Sequence, residues 1–148
     1  MDIGIFKKLG YKTMIAEDWA RGAFNWPGCT GFNTQPTDHY MRPFQIRVEM
    51  DKNTFETTHC REHYLFLLEY FQRFLEVYKM NKKFTMTCQL YHADDSIHLM
   101  LLEMQSKLED SFVVIMGDHG LRFGGARYTP TGTTEDNNPA LFFVSPRN

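Results

Sequence analysis

Residues 111–120 read SFVVIMGDHG, a short apolar run that ends abruptly in the glycine-flanked pair Asp118 and His119. Residues 112–116 carry no charge and are rich in β-branched side chains, the pattern of a strand buried on both faces of a parallel sheet. Working back from this run, a carboxylate at Asp94 or Asp95 opens a helix that continues to about Leu108. Before the helix, residues 84–91 (FTMTCQLY) read as another strand. Strand, helix and strand in that order is the unit from which α/β folds are assembled.

The rest of the chain extends the alternation. Residues 3–9 look like the end of a helix closed by Gly10, and residues 11–16 then read as a strand. From residue 17 to residue 42 the apolar periodicity disappears and Gly22, Pro27, Gly28, Gly31, Pro36 and Pro43 punctuate a long loop. Helical spacing returns over residues 58–78, where Tyr64, Leu67, Leu68, Phe71, Phe74, Leu75 and Tyr78 share a face. Residues 140–144 form the last strand. The order predicts an α/β fold with a mainly parallel sheet and helices on both faces, in one domain over residues 1–148. Its central strands are expected at residues 84–91 and 111–116, flanked by the helices at 58–78 and 95–108.

A chain of 148 residues, 43% hydrophobic and 15% aromatic, can bury one core of ordinary size. The net charge of -2 leaves no basic surface to neutralise a phosphate backbone, which argues against nucleic acid as a partner. No run approaches the roughly 20 apolar residues of a membrane span, and the first residues lack the pattern of a signal peptide. On that reading the chain stays in the cytosol. Cys29, Cys60 and Cys88 are widely spaced and fit either three separate thiols or one Cys29–Cys60 disulfide with a thiol left over.

Several residues could carry chemistry. Asp118 and His119 follow a strand directly, where side chains of open α/β sheets converge on ligands. A carboxylate and an imidazole are both metal ligands, although a capping Asp beside a hydrogen-bonded His gives the same two letters. His92, Asp94 and Asp95 lie between a strand and a helix start and serve either as further ligands or as caps. Arg122 and Arg127 can grip an anion through bidentate contacts or pair with Glu135 or Asp136. The cluster Asp38, His39 and Tyr40 lies near two prolines and fits turn and packing chemistry better than a metal site. His59 and His63 are spaced for one helix face but lack the Glu of a zinc-protease motif.

Longer motifs carry a resemblance. GDHG after the strand, preceded by LEDSFVVIM, resembles the metal-binding strand end of the alkaline phosphatase and sulfatase superfamily. The opening LGYKTMIAEDW is similar to the helix, glycine and strand unit of sulfatases. FNWPGCTGFNTQPTDHYMRPF and LRFGGARYTPTGTTEDNNPALFF resemble a nematode-rich, DUF229-like family of uncharacterised sulfatase-like proteins, so the likeness spans nearly the whole chain.

The resemblance implies a partial alkaline-phosphatase-like core and a site for zinc or calcium that works on phosphate or sulfate esters, with Asp118 and His119 holding the metal beside a Thr, Ser or modified-Cys nucleophile. It also implies a secreted or extracellular setting, in contrast to the missing signal peptide. Two departures stand out. In the superfamily the nucleophile and another Asp ligand come from well upstream of the first strand, where this chain begins. The related family also places an acidic, His-containing HDD segment before LYHAD, whereas CQLYHADD here runs straight on from its strand. Near Thr129 and Gly132 relatives bring in a further His, and here RYTPTG offers Tyr128. The expectation is a hydrolase-like fragment whose metal binding, if any, is weak and whose nucleophile is not supplied. A non-catalytic module that binds a protein partner, or an incompletely read longer gene, is the alternative.

Overall fold

In the computed structural model, which describes residues 3–23, 31–51, 62–89, 93–120, 122 and 124–146, strand β1 (Lys12–Glu17) pairs in parallel on both sides. On one side it meets the two-residue strand β2 (His39–Tyr40), in the register Met14 to His39. On the other it meets β3 (Lys83–Cys88), from Lys12 opposite Lys83 to Glu17 opposite Cys88. The sheet order β2-β1-β3 makes β1 the centre. Its composition explains this, because Thr13, Met14, Ile15 and Ala16 are all fully buried, as a parallel strand covered on both faces requires. Burying each large apolar side chain there contributes about 1.5–3 kcal/mol.

Helix α1 (Gly4–Lys8) feeds β1 through Gly10, whose φ of 80° is the left-handed conformation expected after a helix end. Phe6 stacks on Phe84 of β3 at 3.9 Å between centroids and meets Tyr11 edge-on, so α1 lies against the sheet. Helix α2 (Arg42–Met50) buries Gln45 and Val48, and α3 (Tyr64–Val77) buries Leu67, Leu68, Phe74 and Leu75. Helix α4 (Asp94–Leu108) buries Met100 and Met104 and carries Asp94 and Asp95 in its first turn, where carboxylates complement the helix dipole. The chain is an α/β protein, with five α-helices and this parallel sheet among the described residues. None of these helices is long and apolar enough to cross a membrane.

The cluster Asp38, His39 and Tyr40 does packing work. The Asp38 carboxylate accepts from the backbone N–H of Thr13 at 3.0 Å and from its hydroxyl at 2.9 Å, and pairs with Lys7 at 3.2 Å. Burial pushes this carboxyl up, yet the Thr13 donors and the Lys7 ammonium outweigh it and hold Asp38 below the ordinary carboxylate value. His39 lies among Tyr70 and Phe74 of α3 and Tyr78 at its C-terminal cap, with Nε2 2.9 Å from the Tyr78 hydroxyl and Nδ1 3.3 Å from that of Tyr70. These bonds fasten α3 to the sheet.

The residues group into two compact units, 1–104 and 105–148. In the second, β4 (Val113–Met116) pairs antiparallel with β5 (Leu141–Val144), from Val113 opposite Val144 to Met116 opposite Leu141. A 3-10 turn at Gly125–Tyr128 and the helix α5 (Pro130–Asn137) connect them. The expectation of a buried, central parallel strand at residues 111–116 is therefore corrected. The described pairings of β4 are with β5 alone, in a two-stranded sheet, and its side chains are largely exposed, Met116 at 66%. An apolar run identifies a strand without identifying its neighbours, and here the chain reverses through α5 and returns beside it. Likewise β3 lies at the edge of its three-stranded sheet and ends at Cys88. Helix α3 begins at Tyr64, while residues 58–61 of the expected helix lie outside the described residues.

Candidate functional site

Within the second unit, β4 delivers the chain into Gly117, whose N–H donates to Ala140 at 2.9 Å and extends the ladder with β5 by one rung. The backbone then turns through Asp118, His119 and Gly120. Asp118 bends back so that its Oδ1 accepts the His119 N–H at 2.9 Å, which fixes the carboxylate beside the imidazole. The His119 Nδ1 is 2.7 Å from the carbonyl oxygen of Gly120. A carbonyl can only accept, so Nδ1 carries a proton, and in a ring with no second proton the lone pair lies on Nε2. That nitrogen is 3.4 Å from Asp118 Oδ2. The Asp118 side chain is 84% exposed and that of His119 31% exposed.

This spacing has chemical content. Two ligands at about 2.0–2.2 Å from one ion, subtending a tetrahedral angle, stand roughly 3.3–3.6 Å apart. The 3.4 Å between His119 Nε2 and Asp118 Oδ2 falls within that range. The proton on Nδ1, handed to a backbone carbonyl, is the outer arrangement that commonly orients a ligating imidazole.

Helix α5 holds the turn from behind. Gly120 donates its N–H to the Asp136 carbonyl at 3.1 Å, and a Cβ on Gly120 would collide with the carbonyl oxygen of Glu135. Only glycine allows that approach. Gly132 is similarly tight, against the Ala126 carbonyl. Thr129 caps α5, its hydroxyl accepting from Gly132 N–H at 3.0 Å while donating to Ala126 at 2.7 Å.

Arg122 and Arg127 converge on the Asp136 carboxylate, Nε to Oδ1 at 3.1 Å and Nε to Oδ2 at 3.8 Å. Arg127 also donates to the Arg122 carbonyl at 3.2 Å. The pairing with Asp136 is thus present, and both side chains stay about half exposed. Arg127, Tyr128, Thr133, Asp136 and Asn137 line an open depression of ≈ 700 Å³.

Asp94 stands in the first unit at the start of α4. His92 lies outside the described residues, as do His59, Cys29 and Cys60. Among the described residues no three His, Cys, Asp or Glu side chains form a group able to hold a metal ion. Asp118 and His119 lie side by side in the second unit.

A second polar group, at the carboxyl end of β1, went unnoticed in the sequence. Glu17 and Asp18 are buried there. Glu17 accepts from Ala23 N–H at 2.6 Å, and Glu49 of α2 accepts from Ala20 N–H at 2.7 Å and from Gln45 Nε2 at 3.0 Å. Gln45 also reaches the Asp18 carbonyl at 3.0 Å, and Arg42 the Ala20 carbonyl at 2.9 Å. These contacts fold the chain after β1 onto α2. The available signal was two carboxylates directly after an apolar strand, the same position that singles out Asp118.

A family model described as "Protein of unknown function (DUF229)" matches residues 4–148. Neither curated proteins nor solved structures provide a match. Since the family match takes in nearly all of the 148 residues, the chain belongs to the DUF229 family.

Proposed function

We propose that this chain carries part of the metal site of a sulfatase-like or phosphatase-like ester hydrolase, with Asp118 and His119 as ligands to zinc or calcium. The observation that carries this reading is the pairing of Asp118 Oδ2 with His119 Nε2 at 3.4 Å while Nδ1 is engaged by the Gly120 carbonyl. That arrangement leaves the ligating nitrogen bare and directs it to the carboxylate side. When bound, the metal supplies Lewis acidity that stabilises charge on the entering and leaving oxygens of an ester. Arg122 and Arg127 orient the ester anion, each guanidinium retaining N–H donors beyond those given to Asp136 and the Arg122 carbonyl.

No nucleophile is assigned. Thr129, Thr133 and Thr134 all donate their hydroxyls to backbone carbonyls, of Ala126, Arg127 and Pro130. With two donors in place, zinc binding is expected to be no tighter than about micromolar, since stable sites use three or four protein ligands. Calorimetric titration of zinc into the wild type and into His119→Ala and Asp118→Ala tests the assignment. Both substitutions should abolish the binding heat. Binding of unchanged strength in His119→Ala would place the metal elsewhere and remove this reading.

A further inference from the structure

We infer that Asp136 is the positioning residue of the Asp118–His119 pair: its carboxylate clasps Arg122 and Arg127 and thereby holds α5 against the turn that orients the His119 ring. The inference rests on the reading of Asp118 and His119 as ligands, but its geometry is independent of any metal.

The connection runs through one peptide. The Gly120 N–H donates to the Asp136 carbonyl at 3.1 Å, and the Gly120 carbonyl accepts from His119 Nδ1 at 2.7 Å. Gly120 thus hangs between the helix and the imidazole. Helix α5 has few apolar side chains with which to hold that place, and its buried residue is Gly132. What fastens it on the side of the turn is charge. The Asp136 side chain is only 15% exposed and takes Arg122 on one oxygen and Arg127 on the other. Arg122 follows the turn closely in sequence, while Arg127 belongs to the 3-10 turn before α5. Arg127 in addition donates to the Arg122 carbonyl, which closes the clasp. One carboxylate therefore ties together the segments on both sides of α5's entry and the strand-end turn. The missing Cβ at Gly120 allows the close approach, and the clasp maintains it.

Without the carboxylate, Arg122 and Arg127 repel each other across the gap and lose their shared acceptor. The Gly120 peptide is then free to rotate, and His119 loses the acceptor that fixes its proton on Nδ1. Losses of about 10–100-fold in metal affinity are typical when such supporting contacts to a ligating imidazole are removed.

The test uses the full chain and two readouts. Long-range nitrogen-15 NMR of the imidazole side chains, taken well above the ordinary imidazole pKa, reports which ring nitrogen carries the proton. Zinc titration reports affinity. In the wild type His119 should show the pure Nδ1–H form. In Asp136→Asn, which keeps the volume and removes the charge, it should show a mixture of both forms, with zinc affinity down at least tenfold. Asp136→Glu should recover part of both losses. The ring signals of His39 and His98, in the other unit, should not move, which separates a positional effect from general unfolding.

A pure Nδ1–H signature and undiminished zinc binding in Asp136→Asn would overturn the inference. So would a change shared by His39 and His98. Should the wild type bind no zinc while His119 remains pure Nδ1–H and loses that purity in Asp136→Asn, the metal reading fails and the positioning role stands.

Discussion

Replacing Asp38 by alanine gives the sharpest account of how the first unit is held together. Thr13 is fully buried, and its backbone N–H finds its acceptor in the Asp38 carboxylate at 3.0 Å. Removing that acceptor leaves a buried donor unmade, at a cost of about 1–3 kcal/mol. The Lys7 pair adds less than about 1 kcal/mol, because Lys7 is 58% exposed and screened by solvent. The total expected is about 2–3 kcal/mol. Urea denaturation followed by tryptophan fluorescence measures it, as Trp19 falls within the first unit. The pH dependence adds a signature. The folded carboxyl lies below its ordinary value of 3.8, so its stabilisation is complete above that value and is lost as the pH falls through the lower folded one. Wild type should therefore lose its advantage over Asp38→Ala in that acid window and keep it near neutrality. A difference below about 0.5 kcal/mol at neutral pH, the scale of an ordinary surface substitution, would refute the argument.

Other consequences are more local. Gly120→Ala should destabilise the second unit by about 1–3 kcal/mol and weaken any zinc binding, because its Cβ would press into the backbone of Glu135; thermal unfolding and calorimetry read both effects. His39→Phe keeps the ring beside Phe74 but removes the bonds to Tyr70 and Tyr78. It should cost about 1–2 kcal/mol in urea denaturation, and an unchanged midpoint would show that those bonds are not used. The chain alone should not hydrolyse aryl phosphate or sulfate esters above the rate of its Asp118→Ala variant, and turnover that disappears in that variant would show a nucleophile at work.

Local signals were read well and partners poorly. The helix, glycine and strand at the start are set by short-range rules, and Gly10 takes the left-handed conformation its position implies. Asp94–Leu108 is likewise announced by carboxylates at its start. Helix α2 was hidden because Pro43 read as loop punctuation, although proline is well suited to the first turn of a helix. Helix α5 was hidden for a different reason. PTGTTEDN has no apolar stripe, and its stability comes from the Thr129 cap and the Asp136 clasp, neither of which leaves a period in the sequence. For β4 the composition was right and the neighbour wrong, because antiparallel pairing with β5 depends on the path of the intervening chain. In the site, the strand-end position of Asp118 and His119 was visible from spacing. The support given by Asp136 required knowing that α5 packs on the turn.

X-ray absorption at the zinc edge, on the zinc-loaded chain, tests the central assignment most directly. The account predicts a shell of nitrogen and oxygen at about 2.0–2.2 Å with the multiple scattering of an imidazole, and loss of that imidazole signal in His119→Ala. A shell containing sulfur at about 2.3 Å, or an imidazole signal unchanged in His119→Ala, would contradict it.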